Sequence, residues 1–110
     1  MSNMREQEKL EKAEPTVYVI QDPGSKNLEN ARKFGTLEVI LTGKEDPARG
    51  TRLLTNIMMG VRPIDYLLLL GSPLFIGVAM HAGLLALNGK LNVLVWDKQH
   101  LEYVKHEVNV

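Results

Sequence analysis

The chain has no cysteine, which excludes disulfides, thiolate nucleophiles and cysteine-held zinc or iron–sulfur clusters and leaves packing alone to hold the fold. It has no net charge either, because 13 basic and 13 acidic side chains cancel. The overall field that draws a protein to nucleic acid is therefore missing, and nucleic acid is not an expected partner. Neither G-x-G-x-x-G nor G-x-x-x-x-G-K-[ST] occurs, and Ser72 lacks the G-x-S-x-G elbow of a serine hydrolase. The three histidines are far apart and form no H-E-x-x-H or H-x-E arrangement. No catalytic residue, metal ligand or cofactor is assigned on this reading. The segment Met1 to Glu14 is charged and lacks the apolar core of a signal peptide, so the expected compartment is the cytoplasm in which the chain is made.

What is present is ordinary globular composition, 45% hydrophobic and 24% charged over 110 residues, with no internal repeat. That is one domain, near the lower end of sizes that bury a self-sufficient core. Its single long apolar block runs from Tyr66 to Leu87, roughly 22 residues, which by length alone would cross a bilayer. Gly71-Ser72-Pro73 interrupts it. The residue before a proline avoids the αR region, so the block divides into a buried strand over Tyr66 to Leu70 and a buried helix over Leu74 to Leu87, and no membrane partner is expected.

The remaining elements follow in order. Residues 1–14 read as a flexible tail, or as an arm that orders on a partner, and 15–110 as the folded domain. Thr16 to Ile20 is β-branched and aromatic and reads as a first strand, followed by a turn at Gln21-Asp22-Pro23-Gly24. Ser25 or Asn27 is placed to cap a short helix that turns Leu28, Ala31 and Phe34 inward, with Gly35 as its left-handed terminal residue. Leu37 to Leu41 is a second strand. Asp46 and Pro47 start a second helix, whose apolar face is Leu53, Leu54, Ile57, Met58 and Val61 and whose end is marked by Gly60 and Pro63. Asn88-Gly89 ends the third helix, Leu91 to Trp96 is a fourth strand, and the turn Asp97 to His100 leads into an edge strand over Leu101 to Val108. The expected fold is a single Rossmann-like α/β domain: a mainly parallel sheet, helices on both faces and a C-terminal antiparallel hairpin.

In open parallel sheets ligands bind outside the carboxyl ends of the strands, where strand order reverses. With the order 2-1-3-4-5, Gln21, Asp22 and Gly24 would face Gly71 and Ser72 across the reversal, flanked by Thr42, Gly43 and Asp97. Gly71 allows close backbone approach, and free amides at the start of the third helix, with the Ser72 hydroxyl, suit a phosphate or carboxylate. Each residue also has a purely structural reading: Ser72 as a cap, Pro73 at the first helical position, Asp22 as a turn former. His81 reads as a satisfied core or interface histidine on the third helix, about two turns from Ser72 and too far to act as its base.

The third helix carries the stronger expectation. Ala79, Ala82, Gly83 and Ala86 make a small-residue face, and Leu74, Ile76, Val78, Met80, Leu84 and Leu85 make the rest apolar. A helix apolar all round must be covered all round, and one sheet covers only one side. A homodimer or tight partner using this helix is therefore expected.

Through Tyr18-Val-Ile-Gln-Asp22, Ala31-Arg-Lys-Phe-Gly35 with Leu37, Asp65 to Pro73, and Leu94-Val-Trp-Asp97 followed by Tyr103, the chain resembles a family of small α/β proteins encoded in bacteriophage genomes. The likeness spans nearly everything after Pro15 and rests on core and turn residues. It implies a small α/β fold and an infected host's cytoplasm, and it carries over no activity and no functional residue. A small hydrolase or transferase, which would need Asp22, Ser72 or Asp97 to converge with a bound metal or base, ranks third, and two functions compete ahead of it. One is a non-enzymatic interaction protein, acting as an oligomer on a host or phage partner. The other is a module binding a nucleotide or phosphorylated small ligand through Gln21, Asp22, Gly24, Thr42, Gly43, Gly71, Ser72 and Asp97.

Overall fold

Strand β1 (Thr16–Gln21) lies inside the sheet, with Val17 and Val19 pointing to one face and Ile20 to the other, all three fully buried. Such a run suits a strand covered on both sides. In this computed structural model, which describes residues 14–22, 24 and 27–110, β1 is joined by β2 (Thr36–Leu41), β3 (Tyr66–Leu68), β4 (Lys90–Asp97) and β5 (Glu102–Asn109). The expected tail, apart from Glu14, lies outside the described residues, as do Pro23, Ser25 and Lys26. The five strands follow the order β2-β1-β3-β4-β5, parallel from β2 to β4 and antiparallel between β4 and β5. Val17 pairs with both Leu37 and Tyr66, which sets the register of the central three.

Strand order decides where the helices go. Right-handed crossovers put the β1-to-β2 connection on one face and the two later connections, which run the opposite way along the sheet, on the other. A 3₁₀ helix, η1 (Leu28–Phe34), accordingly packs Leu28 and Ala31 against Val17, Val19, Leu68, Leu94 and Tyr103. Helices α1 (Pro47–Met58) and α2 (Pro73–Ala86) cover the opposite face, where Leu54, Met58, Phe75, Ala79 and Ala82 meet Ile20, Leu67, Leu91 and Val93. Both helices start as their sequences predict. The Asp46 carboxylate accepts from the Arg49 amide at 2.8 Å ahead of Pro47, and the Ser72 hydroxyl accepts from the Phe75 amide at 3.4 Å ahead of Pro73. No helix among the described residues is long and apolar enough to cross a membrane.

Several local expectations need correction. The first helix is 3₁₀, and Asn27 before it has helical dihedrals rather than the extended ones of a cap. Gly35 is not left-handed helical: at φ 155° and ψ −171° it lies in a region essentially confined to glycine, and a Cβ there would fall 2.2 Å from the Pro15 carbonyl oxygen. β3 stops at Leu68, because the Leu70 amide turns back onto the Leu68 carbonyl at 2.9 Å. β5 starts at Glu102, after Leu101 turns with φ 52°. His81 is exposed on α2 and is no part of the core.

Candidate functional site

The carboxyl ends of the strands form an open cleft of about 570 Å³, lined by Gln21, Asp22, Thr42, Gly43, Gly71 and Ser72. Six of the eight expected residues thus converge. Gly24 lies outside the lining, its amide donating to the Asp22 carboxylate at 2.9 Å. Asp97 closes the β4–β5 turn instead: one carboxylate oxygen takes the Gln99 and His100 amides at 2.9 and 3.3 Å, and the other meets His100 Nδ1 at 2.7 Å. That side-chain bond holds Asp97 below its ordinary pKa and raises His100. Outside the cleft lining, burial first, and then the Asp22 charge, raise the Tyr103 phenol.

Within the cleft the polar groups answer one another. Gln21 Oε1 accepts from the Ser72 amide at 3.0 Å, and its side chain crosses Gly71, where φ is 139° and a Cβ would stand 2.9 Å from Gln21 Cβ. Glycine is required there for both conformation and space. The Ser72 hydroxyl is occupied as the α2 cap. At the exit of β2, the Glu45 carboxylate accepts from the Thr42 and Gly43 amides, each at 3.1 Å, and from the Thr42 hydroxyl at 3.0 Å. Those donors, led by the Thr42 amide, bring the Glu45 pKa down to about 2. The amides that flank the cleft therefore already hold the chain's own carboxylate, while at the start of α2, where an anion was expected, the Ser72 amide meets Gln21 Oε1 and the Phe75 amide meets the Ser72 hydroxyl. Among the described residues, no three metal-ligating side chains gather at any point.

One feature was absent from the sequence reading, and a second was expected only as an apolar helix in need of cover. At the opposite end of the sheet Asp65 is fully buried, the only buried charge among the described residues. It accepts from the Thr16 amide at 2.9 Å, from the Arg62 amide at 2.8 Å and from the Arg62 guanidinium at 2.9 and 3.1 Å, while that guanidinium also reaches the Glu14 carbonyl at 3.0 Å. The cluster ties the start of β1 to the entry of β3. The sequence signal was slight, an Asp three residues after an Arg and directly ahead of an apolar strand.

The second feature lies on the outside of α1 and α2. The small residues Ala79, Ala82 and Gly83 turn inward, Gly83 so closely that a Cβ would stand 3.1 Å from both Met58 and Leu91. Larger side chains are thereby directed outward: Leu74 is 55% exposed, Met59 59% and Leu85 66%. With Thr51, Thr55 and His81 they line a groove of about 630 Å³ that has no Asp, Glu, Lys or Arg in its lining. A second hollow, of about 420 Å³, continues it past Leu85 to Gly89 and Val110.

Comparison with known proteins returns no matching curated protein and no matching solved structure. It does return one family, which agrees with the phage resemblance carried by the core and turn residues. Residues 15–110, the whole sheet with its helices, match the model of the Phage Pam3 gp32-like proteins, and the chain belongs to that family.

Proposed function

We propose that this phage-family chain is a non-enzymatic binding protein whose working surface is the outer face of α1 and α2, and that it works in an assembly rather than alone. One observation carries the reading: Leu74, Leu85 and Met59, each more than half exposed, surround a groove without Asp, Glu, Lys or Arg. Single apolar side chains on a surface are ordinary, whereas a contiguous patch marks an interaction site. Covering the exposed part of each contributes about 1 to 2 kcal/mol, and no described residue of the chain supplies that cover. The strand ends, by contrast, hold donors already engaged by Gln21 and Glu45.

The test is affinity capture from phage-infected cells with wild type and Leu85→Glu as paired baits, followed by recombinant mixing of whatever differs. The expected result is a protein, an untagged copy of this chain included, that binds wild type and not the variant. Identical capture by the two baits would overturn the reading.

The alternative is a nucleotide or phosphorylated ligand at the strand ends, favoured by the position of the cleft where strand order reverses. A phosphate at the start of α2 that also drew on the flanking Thr42 and Gly43 amides would have to take them from Glu45. Glu45→Gln should then enlarge a nucleotide-dependent rise in melting temperature; no rise with any nucleotide, in either protein, ends this alternative.

A further inference from the structure

We propose that the occupant of the α1–α2 groove is a second copy of this chain, packed about a two-fold axis with the two α2 helices antiparallel. The inference rests on the reading above that this face is the working surface.

The spacing of α2 residues that line the groove is its first support. Leu74, Val78, His81 and Leu85 follow one another at intervals of four, three and four residues, the seam of a coiled-coil repeat. That interval pattern reads the same in both directions. A two-fold contact requires that residue i meet j and j meet i, and an antiparallel pair centred between Val78 and His81 satisfies this along the whole stripe. Each copy's Leu74 meets the other's Leu85, and each Val78 meets the other's His81.

Space and charge agree with it. Gly77 is exposed beside Val78, and a Cβ built there meets nothing within 4 Å, which leaves room for a helix to approach closely at the centre of the seam. The groove lining has no Asp, Glu, Lys or Arg, so a basic segment would lose its hydration there without gaining a partner. The chain's own α2 stripe likewise has no Asp, Glu, Lys or Arg, and at a formal net charge of zero two copies meet without long-range repulsion. The face is small: α2 is about 21 Å long, which places the contact at the low end of stable interfaces.

Two measurements test the arrangement. The first is sedimentation velocity of the full chain from about 1 to 100 µM, wild type against Leu85→Glu, with circular dichroism to show that the fold is kept. Wild type should pass from monomer to dimer across that range, and the variant, which buries a charge in the seam, should associate about a hundredfold more weakly. The second uses the lack of native cysteine. Leu74→Cys and Leu85→Cys, mixed and joined with a short bismaleimide, should give cross-linked dimer well above either alone, and Lys98→Cys in the β4–β5 turn should give none. A monomer at the highest concentration, a dimer indifferent to Leu85→Glu, or equal cross-linking by each single variant overturns the proposal. A monomer whose Leu85→Glu form still loses a different protein partner overturns the self-pairing alone and leaves the interaction reading standing.

Discussion

The strand-end cleft and the α1–α2 face are both open and of similar volume, and they are built in opposite ways. At the cleft four backbone donors each have a nearby acceptor from the same chain: Glu45 for Thr42 and Gly43, Gln21 for Ser72, Ser72 for Phe75. On the α1–α2 face Leu74, Leu85 and Met59 stay more than half exposed. The difference follows from what each kind of group requires. A polar atom is satisfied by one well-placed partner, which a local side chain can supply. Apolar surface is satisfied only by area, and a domain of 110 residues has little to spare.

If polar groups here are satisfied internally, breaking that satisfaction should cost stability, whereas altering the apolar face should not. The largest effect is expected at the buried Asp65, where Asp65→Ala strands the Thr16 amide and the Arg62 side chain. A loss of about 3 kcal/mol in urea unfolding is expected. Gly71→Ala comes next, at about 2 kcal/mol in the same measurement, from an unfavourable φ and a forced shift of Gln21 away from the Ser72 amide. Leu85→Glu should leave monomer stability within about 0.5 kcal/mol, since its side chain is mostly outside the core. A large loss there would break the contrast.

The smallest effect is a change of slope with pH. Glu45 titrates lower in the folded chain than its ordinary 4.5, at about 2, so its contribution is complete above pH 4.5 and fades as pH falls toward 2. Glu45→Gln should flatten the acid limb of stability over that window and lower stability above it by the part the carboxylate contributes. An identical acid limb in both proteins would show that Glu45 does not hold the Thr42 and Gly43 amides in solution.

Much of this architecture can be read from neighbours in sequence. Asp46-Pro47 and Ser72-Pro73 announce helix starts because capping acts over three residues, and both side chains make the expected bonds. Alternating strands and helices point to a mainly parallel sheet with right-handed crossovers, and the order 2-1-3-4-5 is one of several that this pattern allows. The Glu45 contact was within reach of the same reasoning, since a carboxylate two and three residues beyond Gly43 and Thr42 can fold back on their amides. The Asp65 cluster was not, because the Thr16 amide it binds is 49 residues away along the chain.

The apolar block from Tyr66 to Leu87 divides along the same line. That it would break at Gly71-Ser72-Pro73, and that its second half would be a helix in need of cover, followed from proline geometry and composition. Which side of that helix would remain outside did not, because a segment apolar all round has no preferred face in its own pattern. The choice was made by distance. Met58 of α1 and Leu91 of β4 come so close to α2 that only small residues fit between them, which puts Gly83 inside and leaves Leu74 and Leu85 exposed.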